Sequence, residues 1–246
     1  MSLEKKALFT FGRFQPPTIG HKILIDFIVN TAAEKGADPF IYVSSKQNIM
    51  DKYIKSKKYL TMKSNGYFES TDLNENPLSV DIKVKYLQQM FPDKAQIFIN
   101  TTECGCTSIF PIVDHMKSQG YTSITMAVGS DRVESFQRIL GRVGVTVISA
   151  GDRSAVAATP SNAKAMSGTK MREAAVAGNF KAFKEGVMIG SMTDEDAFTL
   201  LNAVRAGLGY DPLVLAEGGR RSRTRRIRIL KKKKSRKYRL RLEERT

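Results

Sequence analysis

One stretch constrains this chain more than any other: Gly12-Arg13-Phe14-Gln15-Pro16-Pro17-Thr18-Ile19-Gly20-His21. It follows an apolar run, Ala7 to Phe11, and precedes a helical pattern that begins near Gly20. The order strand, glycine-bearing turn, helix aims backbone N–H groups and the helix dipole at one spot, which suits a phosphate. Gly12 and Gly20 let the backbone come close to a ligand. The two prolines stiffen the turn and remove two donors. His21 stands in the first helical turn, where it can donate a charge-assisted hydrogen bond to phosphate oxygens.

The chain then alternates strand and helix patterns. Ile23, Phe27 and Ile28 recur at helical spacing up to Gly36, and Phe40 to Val43 reads as a second strand. Ser79 caps a helix whose apolar face is Val80, Val84, Leu87 and Phe91, before a strand at Gln96 to Ile99. Ile109, Val113 and Met116 mark a helix ending at Gly120. Ser123 to Val128 is a fourth strand, and Val145 to Ser149 a fifth. Between them Gly129-Ser130-Asp131-Arg132 opens a helix with Val133, Phe136 and Ile139 on one face. Asp131 is favoured there by the helix dipole alone. Strands alternating with helices predict a Rossmann-like open parallel five-stranded sheet with helices on both faces.

A second anchor follows, Met166-Ser167-Gly168-Thr169-Lys170-Met171-Arg172. Ser167 and Thr169 sit where a helix begins and can offer hydroxyls and N–H groups to phosphate. Arg172 is three residues past Thr169, so both lie on one helical face. Its forked guanidinium suits a pyrophosphate. Phe180 and Phe183, then Phe198, Leu201 and Val204, mark C-terminal helices that end near Gly207 and Gly209.

Together the two segments resemble the signatures of the nucleotidyltransferase superfamily called cytidylyltransferase-like. The first signature there is a glycine-led turn ending His-x-Gly-His, and the second is Ile-Ser-Ser-Thr-x-x-Arg. Ile19, Gly20 and His21 match the first, with Thr18 in place of its leading histidine. Ser167, Thr169 and Arg172 match the second, with Gly168 for the second serine. The Thr-Ile-Gly-His form is similar to that of phage-encoded members, and the lead-in from Gly12 to Pro16 to that of nicotinamide-mononucleotide adenylyltransferases.

The resemblance implies transfer of a nucleoside monophosphate from CTP or ATP to a phosphorylated acceptor, with release of pyrophosphate. His21, Arg172 and Thr18 would be catalytic. Gly12, Arg13, Phe14, Gly20, Gly129, Asp131, Ser167, Gly168 and Thr169 would line the nucleotide. Mg2+ would ride on the triphosphate, with no protein metal cage. Threonine offers one neutral hydroxyl where a histidine would offer a stronger donor, and losing such a donor costs on the order of 3 kcal/mol. Three readings stay open. The enzyme is slow, or Lys46 from the insertion compensates, or the site binds nucleotide without turnover.

Residues 44–76 have weak periodicity and many lysines, and would leave the C-terminal end of the second strand. They read either as a substrate-selecting lid or as a solvated excursion. The nucleotidyltransferase domain is expected over residues 5–209, followed by a linker at 210–219 and a disordered basic tail at 220–246. Charge supports that division. Ala216 to Thr246 holds 15 of the 40 Lys and Arg and 3 of the 24 Asp and Glu, a net +12 of the chain's +16. Such a tail reads either as a surface for nucleic acid or another polyanion or as a solvated appendage.

With 41% hydrophobic residues the rest has ample core. No apolar stretch reaches membrane-spanning length, and the charged N-terminus lacks a signal-peptide pattern, so a cytoplasmic site is expected, in the host if phage-encoded. Cys104 and Cys106 are expected as reduced thiols, and two cysteines and two histidines at these spacings are too few ligands for an expected Zn site. His115 is expected as a structural or surface residue without a partner.

Overall fold

β1 (Lys6–Gly12), β2 (Asp38–Val43), β3 (Phe98–Asn100), β4 (Ser123–Val128) and β5 (Val145–Ser149) form one sheet in the computed structural model. The structure describes residues 4–47, 76–151, 166–216 and 228–230. Every pairing in the sheet is parallel, and the strand order is β3-β2-β1-β4-β5. The fold is therefore the expected Rossmann-like α/β sheet.

Side-chain alternation shows why both faces carry helices. Leu8, Ile41, Val43 and Ala127 enter one core, while Ala7, Phe9, Tyr42, Met126 and Val128 enter the other. The first core is covered by α1 (Lys22–Lys35), α2 (Val80–Met90) and three C-terminal helices, α5 (Gly168–Ala177), α6 (Phe180–Glu185) and α7 (Asp194–Gly207). The second is covered by α3 (Ile109–Ser118), with α4 (Val133–Leu140) along its edge. Each fully buried aliphatic side chain contributes about 1.5–3 kcal/mol.

The C-terminal helices are stitched to the sheet by polar contacts as well as by burial. Arg205 of α7 is buried and donates to the Ala175 and Val176 carbonyls at 2.5 and 3.1 Å. Those are last-turn carbonyls of α5, where the regular helical ladder runs out, and the Ala175 carbonyl also accepts from the Gly178 N–H at 3.1 Å. A Cβ on Gly207 would collide with the Pro77 carbonyl oxygen, so α7 meets the chain before α2 backbone to backbone. These ties hold α5, and with it Arg172, at a fixed height over the sheet.

Four expectations differ from the structure. The third strand begins at Phe98, not Gln96, because the turn that starts at Pro92 runs on through Ile97. In α4 the buried residue is Leu140, while Ile139 is 48% exposed, because no further layer among the described residues covers that side. The expected linker contains a strand, β6 (Val214–Ala216), which pairs antiparallel with β7 (Arg228–Leu230) from the expected disordered tail. The Cys104 and Cys106 sulfurs are joined, with Gly105 turning the chain at φ +65° and the two Cα atoms 5.2 Å apart. Residues 48–75 of the expected insertion, and the tail beyond 230, lie outside the described residues.

Candidate active site

Strand order reverses between β1 and β4, and open α/β sheets bind ligands at such a switch point, beyond the strands' C-terminal ends. A cleft of about 730 Å3 occupies that place. Three segments wall it: the loop after β1, the loop after β4 and the start of α5.

The first wall begins where β1 ends. Gly12 needs to be glycine, because a Cβ there would enter the ring of Phe14. Phe14 holds a left-handed backbone, φ +48°, which a bulky residue adopts only under constraint. The constraint is burial: its ring is 3% exposed and packs on the His21 ring, centroids 4.8 Å apart at 51°. The imidazole is fixed on its other edge by Thr18. The Thr18 backbone N–H donates to His21 Nδ1 at 3.0 Å, and Thr18 Oγ1 lies 3.0 Å from the same nitrogen. A backbone N–H can only donate, so Nδ1 accepts and the ring proton sits on Nε2.

Thr18, expected as a catalytic residue, stands behind the His21 ring. It is 1% exposed and turns its hydroxyl onto His21 instead of lining the cleft. Gly20 and Lys46 also lie off the cleft wall. The Lys46 carbonyl accepts a long bond, 3.4 Å, from Gln15 Nε2.

Arg172 supplies the second wall. Ser167 caps α5 by accepting from the Lys170 N–H at 3.3 Å. Arg172, one turn in, is only 7% exposed yet lines the cleft. Its Nη1 donates to the Gln15 carbonyl at 2.7 Å and its Nη2 to Thr169 Oγ1 at 3.2 Å. The first bond ties the two anchor segments directly. Gln15 extends the knot, since its amide accepts from the Leu78 N–H at 2.9 Å and donates to the Leu78 carbonyl at 2.8 Å.

Gly168 is explained by the same approach. A Cβ there would stand 2.8 Å from the Gln15 carbonyl oxygen and 3.4 Å from Arg172 Nη1. Gly168→Ala is expected to push Gln15 and Arg172 apart and to destabilise the fold by about 1–3 kcal/mol. Denaturant unfolding checks this, and a variant as stable as the wild type would contradict it.

The third wall is Gly129, Ser130, Asp131 and Arg132, with Phe136 from α4 behind them. Asp131 is exposed and pairs loosely with Arg132 at 3.6 Å. Such a pair is worth little, so either side chain can turn to a ligand. The cleft thus gathers Gly12, Arg13, Phe14, His21, Gly129, Asp131, Ser167, Gly168, Thr169 and Arg172 around one space. Gln15, Arg132 and Phe136 belong to it as well, although nothing in their spacing singles them out. Arginines 13, 132 and 172 face it against the single carboxylate of Asp131 among the described lining residues. That balance suits a polyanion.

No family model matches this chain, and no curated protein matches it.

Behind the first wall, Lys83 of α2 is fully buried and its Nζ donates to the Ser44 carbonyl. Ser44 in turn donates its N–H to the Gly12 carbonyl at 2.9 Å. Burial pushes the Lys83 pKa down from 10.5 to about 8. Between those values the unfolded chain binds more protons than the folded one, so stability rises as pH rises through the window. Below it both states carry the charge, and the folded state bears the full desolvation cost. Wild type is therefore expected to gain stability on Lys83→Met as pH rises from about 7.5 to 9.5. Urea midpoints measured across that range check the sign, and a constant difference would contradict it.

Proposed function

We propose that the chain is a nucleotidyltransferase that moves a nucleoside monophosphate from CTP or ATP to a phosphorylated acceptor and releases pyrophosphate. The observation that carries this reading is one cleft at the strand-order reversal, lined by both His21 and Arg172.

In the proposed reaction an ionised acceptor oxygen attacks the α-phosphorus. A new P–O bond forms, the bond to the α,β-bridging oxygen breaks, and pyrophosphate leaves with that electron pair. The nucleophile is already deprotonated, so no side chain need take a proton. Acceleration then comes from alignment and from donors facing the transition state. His21 offers Nε2–H toward the α,β-bridging region, and Thr18 and Phe14 keep the ring from turning away. Arg172 faces the leaving pyrophosphate, held in place by its bonds to Gln15 and Thr169. Mg2+ enters as part of the MgNTP substrate.

The decisive experiment measures pyrophosphate release from four nucleoside triphosphates, each offered with nicotinamide mononucleotide, phosphopantetheine, phosphocholine and glycerol 3-phosphate. One productive pair is expected. Binding of nucleotide without release for any pair would support the second reading, a catalytically weak or inactive nucleotide-binding, virion- or nucleic-acid-associated protein that acts through its basic tail. The observation favouring that reading is the place of Thr18, whose hydroxyl lies 3.0 Å from His21 Nδ1 and off the cleft wall.

The basic tail at 220–246 is proposed to hold nucleic acid or another polyanion. Deleting it is expected to abolish retention on heparin while leaving turnover unchanged. Retention that survives deletion would place the anion surface elsewhere. Among the described residues, no helix is long and apolar enough to cross a membrane.

A further inference from the structure

The loop after β3 carries Cys104 and Cys106, and the body of α3 carries His115. The fold brings one ligand atom from each within 4.8 Å of the others. We propose that in the reduced chain these three residues form a binding site for a thiophilic divalent ion of the Zn2+ class. The inference is independent of the reading of the cleft.

A disulfide by itself gives no reason for an imidazole beside it. Two sulfurs and a ring nitrogen are, by contrast, the donor set that borderline-soft ions select. Two thiolates also neutralise a divalent charge. Placement supports this further. Cys106 is fully buried, in the core that also holds Tyr42, Ile112, Val113 and Met116. That wall shields one side of the site from water. Cys104 and His115 are partly exposed, which leaves a route for the ion, and among the described residues no fourth protein ligand joins the three.

The ring is already steered. Gln119, one turn after His115, places its amide 3.0 Å from Nε2. An amide reverses its donor and acceptor ends by a half-turn, so Gln119 can serve as the outer partner that orients a ligating histidine.

Geometry allows the change from joined sulfurs to a bound ion. Metal–sulfur bonds of about 2.3 Å in a tetrahedron set the sulfurs about 3.8 Å apart. Reduction frees the pair to separate that far, through side-chain rotation and the glycine at position 105. The disulfide and the ion exclude one another, so occupancy requires the dithiol.

The test uses the full chain, reduced with a phosphine that is then removed, and titrated with Co2+ alone. The expected result is one equivalent bound, with a thiolate-to-cobalt charge-transfer band in the near ultraviolet that Zn2+ displaces. Cys104→Ser should remove most of the band. His115→Gln should weaken Co2+ binding at least about tenfold while leaving the circular dichroism unchanged. Absence of the band in the reduced wild type would overturn the proposal. So would unchanged affinity in His115→Gln, since that would mean two thiols bind metal without the histidine.

Discussion

Arg172→Ala is expected to lower kcat/KM for pyrophosphate release by about a thousandfold, the upper end of what one lost transition-state donor costs. The expectation follows from two facts. Arg172 lines the cleft, and it is buried where the two anchor segments meet. Truncation removes charge from the leaving group in the proposed reaction. It also strips the Gln15 carbonyl of a 2.7 Å partner, which costs about 1–3 kcal/mol of stability when the acceptor stays buried. Arg172→Lys separates the two losses. It keeps the charge but not the fork that reaches Gln15 and Thr169 together, so about a hundredfold loss is expected. Kinetics paired with thermal unfolding read both. Turnover unchanged in Arg172→Ala, in a variant that stays folded, would remove Arg172 from the mechanism.

The second large effect falls on His21. His21→Ala is expected to lower kcat by about a hundred- to a thousandfold, and to cost about 1–3 kcal/mol of stability, because it takes the acceptor from the buried Thr18 N–H. Thr18→Val tests what holds the ring. The backbone N–H of residue 18 still meets Nδ1, so only the hydroxyl contact is lost. A fall of about tenfold or less is expected, the size of one weak neutral hydrogen bond. If Thr18→Val were as damaging as His21→Ala, the Thr18 hydroxyl would belong on the phosphate and not behind the ring.

The sheet was legible because parallel strands buried on both faces leave short apolar runs, and the glycine-to-helix junctions mark their C-terminal ends. Ala7 to Phe11 and Ser123 to Val128 are such runs. The anchor around Ser167 was legible because a cap and a charged residue one turn later share a face by helical geometry alone. Three parts were not. Gln15 knots the site through a side-chain amide that pairs with Leu78, a partner far along the chain that no local spacing predicts. Thr18 reads as a surrogate for a phosphate donor until the extended backbone before the turn at residues 19–21 points its N–H and hydroxyl at the imidazole. His115 reads as solitary because Cys104 and Cys106, about ten residues away in sequence, come within 4.8 Å of it only in the folded chain. A periodic stripe likewise gives a face but not its cover. Val133, Phe136 and Ile139 share a stripe, yet Ile139 is 48% exposed.

Binding of α,β-methylene ATP and CTP, as Mg2+ complexes, to wild type, His21→Ala, Arg172→Ala and the double variant tests the account most directly. Calorimetry at equal ionic strength is the measurement. The account predicts that at least one analogue binds wild type, that each single substitution weakens it by about tenfold or more, and that the matching monophosphate is insensitive to Arg172→Ala. Triphosphate affinity that is the same in all four proteins would contradict it, because His21 and Arg172 would then not share a ligand.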